Sequence, residues 1–282
     1  MAMLLPAVVF IAGLVGIPFL LAIVYSVTDV KVGSEEIHFV GLRNFADVLS
    51  NPAFRRALRN SFVFTISSQV LVIAGATILA LALQEAFRAR RVIRFLILLP
   101  WVAPISLGSI GWKWLLDSIY SVFNWFLVRL HLVRNPPMWL GEPGLAIASV
   151  VLVHVWRMLP FATVILLAGL TSIPKDIPEA AQVDGAGFWR THFQITLPMI
   201  RPIVAVAALF GVIFTFTDMT VVYILTRGGP YDTTQVLPSL AFFTGILGGN
   251  LSGGAAISTF LFPLLVVVAW LLLRVARRSE VT

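Results

Sequence analysis

Six uninterrupted apolar stretches divide this chain, at about residues 3–26, 61–84, 92–116, 144–170, 203–226 and 253–274. A transmembrane helix needs about 20 apolar residues to cross roughly 30 Å of hydrocarbon, and at about 1.5 Å of rise per residue each stretch reaches across. The expectation is therefore an all-α membrane protein with six transmembrane helices. Composition agrees, because 59% of the 282 residues are apolar and only 12% charged, with a mean hydropathy of +0.96. Soluble domains hold about 45–50% apolar and 25% charged residues.

The formal charge of +7 could point to nucleic acid, but the basic residues lie between apolar stretches rather than on one soluble face, so they read as topology signals and not as a nucleic-acid site. Arg88, Arg90, Arg91 and Arg94 cluster after the second stretch, and Arg274, Arg277 and Arg278 follow the sixth. These compact basic runs favour cytoplasmic N- and C-termini. The first stretch has no basic lead and no small-residue cleavage site near Tyr25, so it reads as a permanent span. Pro18, Pro104, Pro160 and Pro263 fall inside spans and predict kinks. The chain has no cysteine, which excludes disulfides and thiol chemistry, and its four scattered histidines predict no metal site.

Between the fourth and fifth stretches, residues 171–202 are too polar to span and too long for a simple connector. Pro178 followed by EAAQVDGAG predicts a proline-started helical turn with acidic residues near its beginning, ended by glycines. A second amphipathic piece then runs into Pro198. The small residues Ala180 and Ala181 would let another protein approach closely.

Glu179, Ala180, Ala181, Asp184, Gly185, Ile195, Leu197 and Pro198 together resemble the EAA loop of ABC-importer membrane subunits. The resemblance extends over nearly the whole chain to the carbohydrate importers of the maltose and glycerol-phosphate type. It is carried by Tyr25, Ser26, Thr28 and Asp29, by VGLRNFADVL at 40–49, by PAFRRALRNSFVFT at 52–65 and by ILTRGGPYDTTQVL at 224–237. It implies a type I ABC-importer permease fold, one transmembrane permease domain over 1–282 and a cytoplasmic coupling loop. It also implies a bacterial or archaeal cytoplasmic (inner) membrane, a second homologous permease subunit, two ATP-binding subunits and an extracytoplasmic solute-binding protein.

No phosphate-cradling GxxxxGK[ST] sequence is present, so ATP and Mg are expected on the partner ATPase subunits, with no cofactor and no catalytic residue in this chain. In that setting Glu179 is the expected polar anchor in the ATPase cleft, and Gly185 supplies a turn that a side chain would obstruct.

Polar groups inside spans are costly and face a bundle interior or a water-filled path. His154, Arg157, Met158 and Phe161 share one helical face, and Gly211, Phe214, Thr215 and Asp218 share another. Aromatic plates beside hydrogen-bonding groups suit a sugar ring, and Trp101 and Ile105 are similarly placed beside Pro100 and Pro104. The competing reading is helix packing for the apolar members and an internal ion pair for Arg157 and Asp218. Gly228, Gly229 and Pro230 suit a tight outer turn, read as a binding-protein docking site or as a plain exposed turn. Residues 118–132 read as an interfacial helix. An ion-coupled secondary transporter would rest on Asp218 alone, and an embedded enzyme finds no HExxH, carboxylate pair or nucleophile elbow.

Overall fold

The computed structural model describes residues 5–85 and 87–278, with side chains described as far as Arg274. Residues 3 and 4 of the first stretch, and the side chains of Arg277 and Arg278, lie outside the described residues. The described residues form helices linked by turns, with a single isolated bridge between Thr28 and Phe39.

Four unbroken helices are long and apolar enough to cross a membrane: α1 (Leu5–Ser26), α3 (Pro52–Gln84), α7 (Pro143–Thr171) and α13 (Leu251–Arg278). Two further helix pairs reach that length and hydropathy only when taken together, each bent at a short break. Helices α4 (Arg90–Val102) and α5 (Ile105–Leu115) meet at 96°, and α9 (Phe188–Met199) meets α10 (Arg201–Thr217) at 72°. Short helices complete the chain: α2 (Arg43–Ser50), α6 (Val122–Arg129), α8 (Asp176–Val183), α11 (Thr220–Leu225) and α12 (Leu237–Leu247).

Three boundaries differ from the sequence expectation, each for a local reason. Helix α3 begins at Pro52 rather than at 61, because Asn51 caps it by accepting the Ala53 N–H at 2.9 Å and Pro52 occupies the first turn. The stretch 92–116 is not one helix. Pro104 disfavours helical geometry in the residue before it, and Ala103 is extended at φ −64°, ψ 141°. The stretch 203–226 also breaks: Asp218 is extended at ψ 126°, and its Oδ1 accepts the Thr220 N–H at 2.7 Å to start α11.

Proline acts differently elsewhere. Ahead of Pro18 the helix widens to a π turn over Ala12–Gly16, which absorbs the missing N–H. Pro160 and Pro263 stay inside continuous helices. Within 118–132, only Val122–Arg129 is helical (α6), capped by Ser121 Oγ accepting the Asn124 N–H.

The helices pack as layers around α3, α7 and α10. One apolar cluster joins Phe64, Val150, Val153 and Val221, and a second joins Val72, Ala76, Met158, Leu166 and Ala207. A third, around Phe54, Phe216, Leu237 and Ile257, seats α12 and α13. Gly245 and Gly254 bring these last two helices into backbone contact; a Cβ at Gly254 would lie 2.5 Å from the Gly245 Cα. At one end of the bundle, Asn44 Nδ2 donates to the Ser26 and Thr28 carbonyls at 2.9 and 2.6 Å, while Val30 and Val32 bond to Ser252 and Gly249. Asp29 accepts the His38 backbone N–H at 2.7 Å, which holds its carboxyl below the usual range.

Candidate translocation site and coupling loop

The two polar stripes read from the sequence meet in the bundle where α10 breaks. Arg157 Nη1 lies 2.8 Å from Asp218 Oδ2, with the side chains 26% and 9% exposed. His154, fully buried on α7, points Nδ1 toward the same oxygen at 3.5 Å. The single hydroxyl proton of Thr215 goes to the Gly211 carbonyl at 2.7 Å. The contacts to Thr215 Oγ1 from Gln69 Nε2 at 2.8 Å and His154 Nε2 at 2.9 Å are therefore both donations, which assigns a proton to His154 Nε2. Gly211 is required here, because a Cβ would overlap the Gln69 carboxamide. Gln69, on α3, is a member of the network that sequence reasoning missed; a single Gln inside a long apolar run gave no periodic signal.

The aromatic members gather beside this network. Trp101 stacks on Phe161 with centroids 4.8 Å apart, and Phe214 stands edge-on to Phe161 at 5.6 Å, with Phe210 completing the group. Trp101 and Phe161 are half-buried and Phe214 is exposed. Met158, Thr215, Gly211 and His154 are buried between helices. Ile105 and Arg157 border a narrow crevice with Pro100, Pro104 and Val221, where α5 and α11 adjoin beside α7. Among the described residues no group of three His, Cys, Asp or Glu side chains could hold a metal.

The 171–202 loop folds as two helices with a bend. Helix α8 begins at Asp176, two residues before Pro178, with Asp176 and Glu179 in its first turn. It ends in a Schellman motif: Ala186 N–H bonds to the Ala181 carbonyl and Gly185 N–H to that of Gln182. Gly185 has φ +81°, and a Cβ there would meet nothing within 4 Å. Within this chain the demand for glycine is thus conformational, not the steric one expected. Ala181 is buried and Leu197 packs into the second apolar cluster, while Ile195 and Pro198 are half-buried. Glu179, Ala180 and Asp184 are exposed. Val183 at 88% exposure and the exposed rings of Phe188, Trp189 and Phe193 add an apolar surface that the sequence reading did not single out.

The turn at 226–235 is held by a dense set of contacts. Gly228, at φ +87°, leaves space that the Gln235 side chain fills. Thr234 Oγ1 bridges Thr226 and the Gly229 carbonyl, and Arg56 pairs with Asp232 at 3.0 Å. Asn60, buried on α3, donates to the Asp232 and Gln235 carbonyls at 2.9 and 3.1 Å. Asn60→Leu is expected to cost about 1–3 kcal/mol by leaving both carbonyls bare. The check is limited proteolysis at 226–235 together with the melting temperature; unchanged values for both would mean that Asn60 does not hold the turn.

The fold and its polar interior define a multi-pass α-helical membrane protein of the transporter class. The model of the family "Binding-protein-dependent transport system inner membrane component" matches residues 72–281. The chain belongs to that family and is a non-catalytic permease subunit. It is 37% identical over 243 residues to the trehalose/maltose transport system permease protein MalF of Thermococcus litoralis, covering 85% of this chain and 80% of the relative. It is 31% identical over 248 residues to the diacetylchitobiose uptake system permease protein DasB of Streptomyces coelicolor, covering 86% and 74%. Among solved structures, a chain of a bacterial ABC transporter involved in import of the acidic polysaccharide alginate superposes with a TM-score of 0.85 at 22% identity, covering 98% of this chain and 94% of that one. That likeness establishes the type I permease fold.

Proposed function

We propose that this chain is the translocation subunit of an ATP-driven importer for a sugar or related polyol. An extracytoplasmic binding protein delivers the solute, a second homologous permease completes the path, and two separate subunits bind ATP and Mg at the cytoplasmic face. The observation that carries the reading is the Trp101, Phe161 and Phe214 cluster beside the Arg157–Asp218 pair. Flat apolar plates next to hydrogen-bonding groups match the two kinds of surface on a sugar ring. Relatives named for trehalose/maltose, diacetylchitobiose and sulfoquinovosyl glycerol support the same class.

In this reading the loop 171–202 is cytoplasmic and both termini are inside. ATP binding draws the two ATPase subunits together, and α8, seated in an ATPase cleft through Glu179, moves as a rigid lever. The bundle then rocks between inward-open and outward-open states. The outer turn at Gly228, Gly229 and Pro230 receives the binding protein on the opposite side.

The test is co-purification with the neighbouring gene products, then ATPase assays in nanodiscs with the binding protein and a panel of di- and oligosaccharides, amino sugars and glycerophosphodiesters. Stimulation by a carbohydrate is the expected result. Stimulation by a non-sugar solute alone would keep the permease and overturn its substrate class.

A further inference from the structure

The layer between the first two apolar clusters carries buried polar atoms that nothing in this state satisfies. Thr65 Oγ1, Ser68 Oγ and Gln69 Oε1 on α3, and His154 Nδ1 on α7, all lack hydrogen-bond partners. Their residues are at most 8% exposed. Hydroxyls inside membrane helices ordinarily bond back to a carbonyl four residues earlier, as Thr77, Thr163, Thr215 and Thr259 do here. Thr65 and Ser68 do not. Residues 65, 68 and 69 share one face of α3, the face from which Gln69 reaches Thr215, which in turn bonds His154.

The unpaired groups are complementary. Thr65 and Ser68 each carry a hydroxyl that can donate. Gln69 Oε1 is a bare acceptor, whereas His154 Nδ1 faces Asp218 Oδ2 at 3.5 Å and belongs to the ion-pair network. Two donors and one acceptor thus share one face of α3 without meeting. An unpaired polar group costs most where no water replaces the lost partner, so this arrangement disfavours the state seen here relative to one in which the groups pair.

We propose that Thr65, Ser68 and Gln69 are positioning residues of the transport cycle, partnerless in this state and paired in the other, so that the polar face of α3 toward Thr215 of α10 has two arrangements. Bistable contacts of this kind convert small helix shifts into discrete states. The inference rests on reading the chain as half of an alternating importer.

The experiment uses the complete transporter in nanodiscs with its binding protein and substrate. Thr65→Val combined with Ser68→Ala removes both donors at nearly constant shape. The melting temperature is expected to rise by about 2–4 °C as the buried hydroxyls disappear. Substrate-stimulated ATP hydrolysis and uptake are expected to fall about tenfold, the scale of one lost coupling. Thr77→Val, whose hydroxyl is already satisfied by the Ile73 carbonyl, should leave uptake unchanged. Gln69→Leu provides a second variant, with the same expected loss of uptake while the assembly remains intact.

A rise in stability with unchanged uptake would overturn the proposal, since the hydroxyls would then be costly but idle. A fall in stability would overturn it too, because the groups would be paired in this state. A wild-type assembly without binding-protein-stimulated hydrolysis would remove the importer reading, and this inference with it.

Discussion

Arg157→Ala should unsettle the bundle more than any other single change in the membrane interior. Asp218 has its two oxygens committed to Arg157 Nη1 at 2.8 Å and the Thr220 N–H at 2.7 Å, with His154 at 3.5 Å. Removing the guanidinium leaves a carboxylate only 9% exposed without its main charge partner. Breaking a buried pair from one side costs about 3–5 kcal/mol, and the 26% exposure of Arg157 places this case toward the lower end. The double variant Arg157→Met with Asp218→Leu should recover most of that loss, because it removes both charges and keeps the volume. Thermal melts of the assembled transporter decide it: a double variant no more stable than the single one would mean that the pair does not brace the α10 break. If the double variant folds but does not transport, Arg157 acts on the solute as well as on Asp218.

The second large effect is expected at the coupling loop. Glu179 is exposed in the first turn of α8, where the helix dipole favours an anion, and its side chain makes no hydrogen bond among the described residues. Glu179→Lys reverses that charge without touching the fold, so the protein should insert and pair normally while ATP-driven uptake is lost. Gly185→Val acts by another route. It forces a β-branched residue to φ +81° and so distorts the Schellman end that sets the angle between α8 and α9. Both variants should release the ATPase subunit in detergent. Retention of wild-type ATPase and uptake by Glu179→Lys would end the docking role of that residue.

What was legible in the sequence follows from how each signal is written. The crossings α7 and α13 are continuous apolar runs whose ends the structure moves by only a few residues. The start of α3 was hidden because Arg55, Arg56 and Arg59 lower its hydropathy, although Asn51–Pro52 is a helix-start pair. The break at Asp218 was hidden for the opposite reason. Its neighbours are apolar enough to read as one span, and only the capping side chain at 218 marks the interruption. Pro104 announced a kink, but not a turn of 96°.

At the site, Arg157 and Asp218 were visible as intramembrane charges, and the structure brings them together as an ion pair, one of the arrangements left open by spacing alone. Gln69, Thr65 and Ser68 gave no warning, since their meaning depends on Thr215 and His154, far away in sequence. The coupling loop was legible as two helices around Gly185, whereas the outward apolar surface of Val183, Phe188, Trp189 and Phe193 needed coordinates.

The central claim is that α8 transmits the work of a separate ATPase subunit to this bundle. The chain has no cysteine, so Ala180→Cys, exposed on α8, places a single thiol at the contact. Site-specific crosslinking in the assembled importer should join residue 180 to the ATP-binding subunit, with a yield that changes between nucleotide-free and ATP-bound states. In intact cells the same thiol should be shielded from an impermeant maleimide that labels Tyr231→Cys on the outer turn, where Tyr231 is 87% exposed. Labelling of residue 180 from outside, or no crosslink to any ATP-binding subunit, would contradict the account.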